Sequence, residues 1–315
     1  MNLSFSRAAI IGATGPTGRH LTTELRRRGV AVTAVSRSSE KLRRWFPEPE
    51  AERVAADALD ADALRAAVSG CDLVVDSVGL PPEHMDRHAA IAEQVAAAAT
   101  AEGARLLHVS SFWSFLPVRS LPVSEEHPRE GGNSYARARR AAEDMMLAAG
   151  ACVVHLPDFF GPGVHTSTLQ GPLQEALAGK RMSWLGSPDT EREYAYVPDA
   201  MALVADLALR QEAYGRSWLI PGSGPLSGRQ VAAIAGEHLG REVKLRAVPG
   251  WLARLAAQVT PGLRAFRPIL GDYLQPIAYD TSRLRSLLGE VHPASYEQGI
   301  GATLTAMRNA EESSG

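Results

Sequence analysis

Two periods of hydrophobic spacing alternate through the first half of the chain. Short, mostly apolar runs with many β-branched residues fall at 8–11, 30–35, 53–55, 73–78, 106–109 and 152–156. Runs with no polar alternation are those of strands buried on both faces of a parallel sheet. Between them, near 17–28, 39–46, 60–69, 84–102 and 134–149, the spacing is helical. Four of these stretches run into a glycine, at Gly29, Gly70, Gly103 and Gly150, where a helix C-terminus takes the left-handed backbone. Strand–helix–strand alternation calls for right-handed crossovers and a doubly wound parallel sheet, an α/β, Rossmann-like fold. Past about residue 157 the pattern loosens, with Gly161-Pro162-Gly163, Gly171-Pro172 and Gly222-Ser223-Gly224-Pro225 ahead of helical segments near 227–239, 249–259 and 297–310. The expected division is a sheet core over 1–156 and a smaller, mostly helical lobe over 157–315 that returns in part to the core. Ligands of open α/β sheets bind beyond the carboxyl ends of the strands, so the cleft between core and lobe is the expected site.

The turn after the first strand reads Gly12-Ala13-Thr14-Gly15-Pro16-Thr17-Gly18 and opens a helix. Gly12 permits a tight turn, Gly15 lets the backbone approach a pyrophosphate, and Gly18 lets helix and strand pack closely. The helix N-terminus adds N–H donors and positive potential for the phosphates. A turn that merely needs glycine is the plainer alternative. At the end of the second strand stands Ser36-Arg37-Ser38, with no carboxylate to bind a ribose 2′-hydroxyl. Arg37 can fork onto a 2′-phosphate, with Ser36 or Ser38 as a neutral donor, which favours NADP(H) and leaves NAD(H) as the alternative. The plainer reading of Arg37 is a solvated loop charge.

The spacing GxxGxxG is joined by His108-Val109-Ser110-Ser111-Phe112-Trp113, Ser134-Tyr135-Ala136-Arg137-Ala138-Arg139, a Phe-Gly-Pro-Gly turn at 160–163 and Tyr196-Val197-Pro198-Asp199. Together these resemble the short-chain dehydrogenase/reductase superfamily, in its extended, epimerase/dehydratase-like branch, over nearly the whole chain. The resemblance implies a nicotinamide cofactor and assigns roles. Asp57, in Ala55-Ala56-Asp57-Ala58, would contact the adenine edge, helix capping being its alternative. Val78-Gly79 ends the fourth strand, where small residues let the cofactor cross the sheet. Ser111 would hydrogen-bond the substrate oxygen, and Tyr135 would donate or remove the proton as hydride moves. The spacing to the following aromatic turn puts Ser111 rather than Ser110 in that place, 24 residues before Tyr135. Pro157, Asp158 and Phe159 would shape the wall near the nicotinamide.

Two positions depart from the family pattern. Arg139 stands where the family has lysine. One turn from Tyr135 on the same helix face, it is expected to point into the same cleft and to pull the phenol below its ordinary pKa. Its planar fork is larger and relays no proton. The site then works through an altered hydrogen-bond network, or oxidoreduction has weakened and the pocket is repurposed, or the change is neutral drift in an arginine-rich stretch. The expectation is catalysis by Ser111, Tyr135 and Arg139, with a tyrosine packed into the cleft wall as the alternative. His155 stands where relatives commonly carry arginine, and a lone histidine at a strand end reads as a satisfied core residue. Phe112, Trp113, His165 and Trp184 are candidate substrate contacts with packing as the alternative, and Asp199 reads as a helix N-cap.

Composition narrows the partners. The 315 residues are 45% hydrophobic and 22% charged, which excludes disorder. Thirty-three basic against 35 acidic side chains leave a net charge of −2, with no overall pull toward nucleic acid or a membrane, so the expected partner is a small molecule. Cys71 and Cys152 sit in apolar runs and make no disulfide framework, which fits a reducing cytoplasm. The start has no apolar leader, and no stretch of about 18 residues is free of charge and proline. No metal, hydrolase or kinase motif occurs. The run Val95-Ala96-Ala97-Ala98-Ala99 permits close helix approach, and relatives often dimerise through such helices; packing on the protein's own sheet is the equal alternative. The expected function is an NADP-dependent oxidoreductase of the carbonyl reductase or alcohol dehydrogenase type. Phe112, Trp113, Phe115, Phe159, Phe160 and Trp184 point to a partly apolar substrate. An epimerase or dehydratase that keeps NAD(P) bound without net redox, and a non-catalytic NADP-binding sensor, are the alternatives.

Overall fold

The computed structural model describes residues 2–47, 51–165, 167–259, 264 and 266–312. The six apolar runs form β1 (Arg7–Ile11), β2 (Ala31–Ser36), β3 (Glu52–Ala55), β4 (Leu73–Asp76), β5 (Arg105–Ser111) and β6 (Cys152–Leu156). All pair in parallel, in the spatial order β3-β2-β1-β4-β5-β6. Burial on both faces explains the missing alternation: Ile10 enters the core on one side of the sheet and Ile11 the core on the other. On the first side lie Leu21 and Leu25 of α1 (Pro16–Arg27), next to α7 (Val197–Ala208). On the second lie α3 (Ala61–Val68), α4 (His88–Ala101) and α5 (Ser134–Ala148), with Val95, Ala98 and Ala99 of α4 buried there. Gly29, Gly70, Gly103 and Gly150 all take positive φ after their helices.

The chain after β6 does two things. Residues 197–219 return to the core: α7 packs beside α1, and β10 (Arg216–Leu219) adds a parallel seventh strand beyond β6. The remainder builds a lobe from β7 (Asp158–Phe160), β9 (Arg192–Tyr196) and β11 (Pro225–Leu226) in one sheet and β8 (Met182–Leu185) with β12 (Leu245–Val248) in another. Around them stand α6 (Gln170–Leu177), α8 (Gly228–Leu239), α9 (Gly250–Val259) and the helices Ser282–Leu288 and Tyr296–Glu312. The lobe has its own core, including Leu173, Trp184, Val231 and Ile300. Among the described residues no helix is long and apolar enough to cross a membrane.

Two local expectations are corrected. The stretch near 84–102 begins as a 3-10 turn, Pro82–Arg87, before α4. Asp199 does not cap α7: Tyr196 holds the N-cap position, and the Asp199 carboxylate accepts from the Ala294 backbone N–H at 2.6 Å, joining α7 to the approach of the last helix.

Candidate functional site

The strand order reverses between β1 and β4, and the glycine turn lies there. Gly12 N–H bonds the Val35 carbonyl at 3.0 Å on one side, and Ser77 N–H bonds the Ile11 carbonyl at 2.9 Å on the other. Gly12 has φ +84°, and a Cβ on it would stand 2.8 Å from the Ser77 oxygen. A Cβ on Gly18 would stand 2.6 Å from the Gly12 oxygen, so this glycine sets how closely α1 approaches the turn. Gly15 differs: a Cβ there would meet only the Gly12 oxygen, at 3.4 Å, which leaves the outer side of the turn open. Pro16 takes the first helical position, where an N–H has no intrahelical use, and Thr17 is buried behind it. Gly18→Ala is therefore expected to abolish dinucleotide binding and lower the thermal midpoint, whereas Gly15→Ala weakens binding at an unchanged midpoint; titration and thermal unfolding of the two variants separate these effects.

The Thr14 and Ser36 hydroxyls hydrogen-bond at 2.9 Å, tying the turn to the end of β2, beside the exposed Arg37. Ser38 is occupied as the N-cap of α2 (Ser39–Trp45), accepting from Lys41 N–H at 3.2 Å. Asp57 is exposed and accepts from Leu59 N–H at 3.0 Å, but it caps no helix: Asp60 caps α3, which corrects the capping alternative. Ala58 is buried, Val78 half-buried and Gly79 exposed, with open space where a Cβ would stand.

Ser111 ends β5 and Tyr135 lies in the first turn of α5, both at the carboxyl edge of the sheet. Ser110 and Ser111 diverge in their hydroxyls. Ser110 Oγ donates to Glu143, whereas Ser111 Oγ is buried with no protein partner. Trp113 ties the two segments together, stacking on the Tyr135 ring at a centroid distance of 5.5 Å and 21° between planes. Its indole N–H donates to the Tyr273 hydroxyl at 2.9 Å. Asn133 caps α5, accepting from the N–H groups of Tyr135 and Ala136 at 2.9 Å each, while its amide reaches Asp272 at 3.2 Å. The lobe segment around 266–277 thus hangs over Tyr135, held further by Arg192, whose guanidinium donates to the Asp272 carbonyl at 3.1 Å.

Burial, and then the Glu83 carboxylate, push the Tyr135 phenol up to about 12. This corrects the expectation that Arg139 pulls it down. Arg139 is 9% exposed, and its Nε and Nη1 atoms have no protein partner. Burial lowers its pKa, and the carboxylates of Glu143 and Asp76 work against that. Beneath α5 lies an ionic layer. Glu143, fully buried, accepts from Arg129 and Ser110, and His155 Nδ1 stands 3.5 Å away. Asp76 pairs with His108 Nδ1 at 2.8 Å. Burial, Arg139 and His108 push His88 down to about 2, and His155 is lowered mainly by burial, so both imidazoles stay neutral. His155 also packs edge-on against Phe115 at 4.7 Å, a core residue.

The remaining candidates part company. Pro157 is buried, and Phe159 is half-buried against the main core. Asp158 accepts from Thr168 through both N–H and hydroxyl, fastening the loop that follows β7. His165 is exposed. Phe112, Phe115 and Phe160 are core residues, each 2% exposed or less, which leaves Trp113 and Phe159 as the half-buried aromatic candidates. Trp184 is a correction: it is buried in the lobe core over Gly228, whose Cβ would come within 2.5 Å of the indole.

Sequence reasoning missed the residues that join distant segments. Arg19 donates to the Gly163 carbonyl at 2.7 Å, and His20 Nε2 lies 3.1 Å from the Pro162 carbonyl, so α1 holds the Gly-Pro-Gly turn. No local pattern announces this. Glu143 had a signal, since 135, 139 and 143 share one helix face at i, i+4 spacing. Among the described residues no cluster of side chains could hold a metal. The space at Gly15 is open, and the unpartnered Ser111 hydroxyl and the orphaned Nε and Nη1 of Arg139 are donors left unused by the protein, of the kind a dinucleotide takes.

Residues 12–152 match the NAD(P)H-binding family model. Over 323 aligned positions, covering 94% of this chain and 95% of the relative, the chain is 25% identical to a 4-hydroxy-2-methyl-3-oxo-4-farnesyl-3,4-dihydroquinoline-1-oxide ketoreductase of Stigmatella aurantiaca. It is 30% identical over 232 positions, covering 66% of this chain and 74% of the relative, to a 3-diazoavenalumate denitrifying reductase of a Streptomyces species. Among solved structures, an epimerase from Methanothermobacter thermautotrophicus superposes with TM-score 0.82 at 17% identity, covering 98% of this chain and 93% of that one.

Proposed function

The chain belongs to the short-chain dehydrogenase/reductase superfamily, in its extended, epimerase/dehydratase-like branch, and is an NAD(P)-dependent oxidoreductase; from that premise we propose that it is an NADPH-dependent ketoreductase of partly apolar small molecules. The observation that carries this reading is the pairing of an unpartnered, buried Ser111 hydroxyl with a Tyr135 phenol pushed up to about 12. The nicotinamide, when bound, would supply or accept hydride. Ser111 Oγ donates a hydrogen bond to the substrate carbonyl oxygen, fixing and polarising it. Tyr135, protonated at any physiological pH, delivers its proton to that oxygen as negative charge develops. Near neutrality the raised pKa keeps the phenol in its protonated form, the form that reduction requires. Arg139, whose Nε and Nη1 lack a protein partner, would offer those N–H groups to ribose hydroxyls, and the exposed Arg37 beside Ser36 would meet the 2′-phosphate. Trp113 and the half-buried Val78, Leu80 and Phe159 offer apolar wall, and the named activities of the ketoreductase above and of a ceramide reductase from Caulobacter vibrioides, 33% identical over 168 positions, agree with an apolar substrate.

Net consumption of NADPH with a ketone library tests the proposal; a cofactor that stays bound and cycles with no net consumption contradicts it in favour of epimerisation or dehydration. Arg37→Ser is expected to erase most of the preference for NADPH over NADH, read as the ratio of dissociation constants, with NADH affinity little changed. The pH dependence has a definite sign. A raised phenol pKa keeps the acid protonated, so the reductive rate stays level well into the alkaline range. Because Glu83 helps to raise it, Glu83→Gln shifts the alkaline fall of the rate to lower pH. An unmoved profile would remove Glu83 from the account.

A further inference from the structure

Helix α9 is folded inside out. Ala257 is buried and Ala253 and Ala256 are half-buried, while Trp251, Leu252 and Leu255 face solvent at 68%, 41% and 50% exposure. These three are most of the exposed large hydrophobics among the described residues. A helix shaped only for a water-soluble fold buries its largest apolar side chains and shows its alanines; here the order is reversed. The spacing 251, 252, 255 places the three on one stripe, and Arg254, exposed, flanks it. Along this stretch of the sequence the charge is one-sided. Between 241 and 272 there are six lysines and arginines against Glu242 and Asp272, in a chain whose net charge is −2. Arg264 and Arg267 in this stretch are exposed.

We propose that α9 and its basic surroundings dock on the surface of an anionic lipid bilayer. An exposed Trp–Leu stripe flanked by arginines is the make-up of an interfacial helix, with the rings entering the headgroup boundary and the guanidiniums meeting lipid phosphates. The near-neutral composition that argued against a lipid partner is an average that conceals this concentration of charge. The docking face connects with the site. A Cβ on Gly250, the first residue of α9, would come 2.5 Å from Leu274, so the helix seats directly on the segment that carries Tyr273 to Trp113. Docking there sets the lobe segment above Tyr135 next to the bilayer, where an apolar substrate is concentrated.

Flotation of the full-length protein with vesicles tests this without any reference to turnover, so it stands apart from the cofactor reading. Vesicles of phosphatidylcholine with about one-third phosphatidylglycerol are expected to carry the protein at low salt, vesicles of phosphatidylcholine alone to leave it behind, and added salt to release it. Trp251→Ser/Leu255→Ser is expected to weaken partition by about tenfold or more, with its thermal midpoint unchanged. Absence of the wild type from the phosphatidylglycerol vesicles overturns the proposal, as does equal binding by the double variant. A wild-type dimer that fails to float and that the double variant dissolves assigns the face to a second copy of the chain and also overturns it.

Discussion

Tyr135→Phe is expected to lower turnover by about 10²–10⁴-fold while leaving NADPH affinity unchanged. The substitution removes one oxygen from a buried ring. Trp113 stacks on it at 5.5 Å, and the Asn133 cap fixes its backbone N–H at 2.9 Å, so the phenylalanine ring keeps its place and the fold its stability. What disappears is the proton for the nascent alkoxide. Loss of a transition-state interaction lowers kcat and kcat/KM together, whereas loss of a packing contact alone would spare kcat. Full turnover by Tyr135→Phe on a verified substrate would show that another group delivers the proton. Ser111→Ala, removing the unpartnered hydroxyl, leaves the proton donor in place and so gives a smaller loss of the same kind.

Glu143→Leu is expected to destabilise the protein by about 3–5 kcal/mol, read from the denaturant midpoint. Glu143 is fully buried and is the shared acceptor for Ser110 and Arg129, and it helps to keep the buried Arg139 charged. A leucine of similar volume removes the carboxylate and leaves those donors facing an apolar group. Glu143→Gln keeps an acceptor oxygen and costs less. A leucine variant as stable as the wild type would mean that the layer under α5 is not held by charge.

The sheet core was readable because its residues obey a local rule. The inner strands of a parallel sheet are buried on both sides, so 8–11 or 152–156 declares itself without knowledge of its neighbours, and Gly29 or Gly103 marks a helix end through its own backbone. The glycine turn was readable for the same reason. Ser111 was preferred over Ser110 on spacing, and the structure supplies a physical distinction between them in the partner that Ser110 already has. What escaped are contacts between residues far apart in sequence. Arg19 grasps Gly163 across 144 positions, and Tyr273 meets Trp113 across 160, with no periodicity to announce either. The Arg139 expectation failed on environment. Spacing places Arg139 and Tyr135 on one helix face, but the phenol answers to burial and to Glu83 on another segment. Trp184 and the phenylalanines failed similarly, since an aromatic residue near a cleft and one in the core look alike in a sequence.

Isothermal titration of the folded protein with NADPH and with NADH tests the central claim most directly. The account predicts saturable binding of one nucleotide per chain, tighter for NADPH, lost in Gly18→Ala and reduced toward the NADH value in Arg37→Ser. Heat signals at the dilution baseline for both nucleotides, from protein shown to be folded, would contradict it.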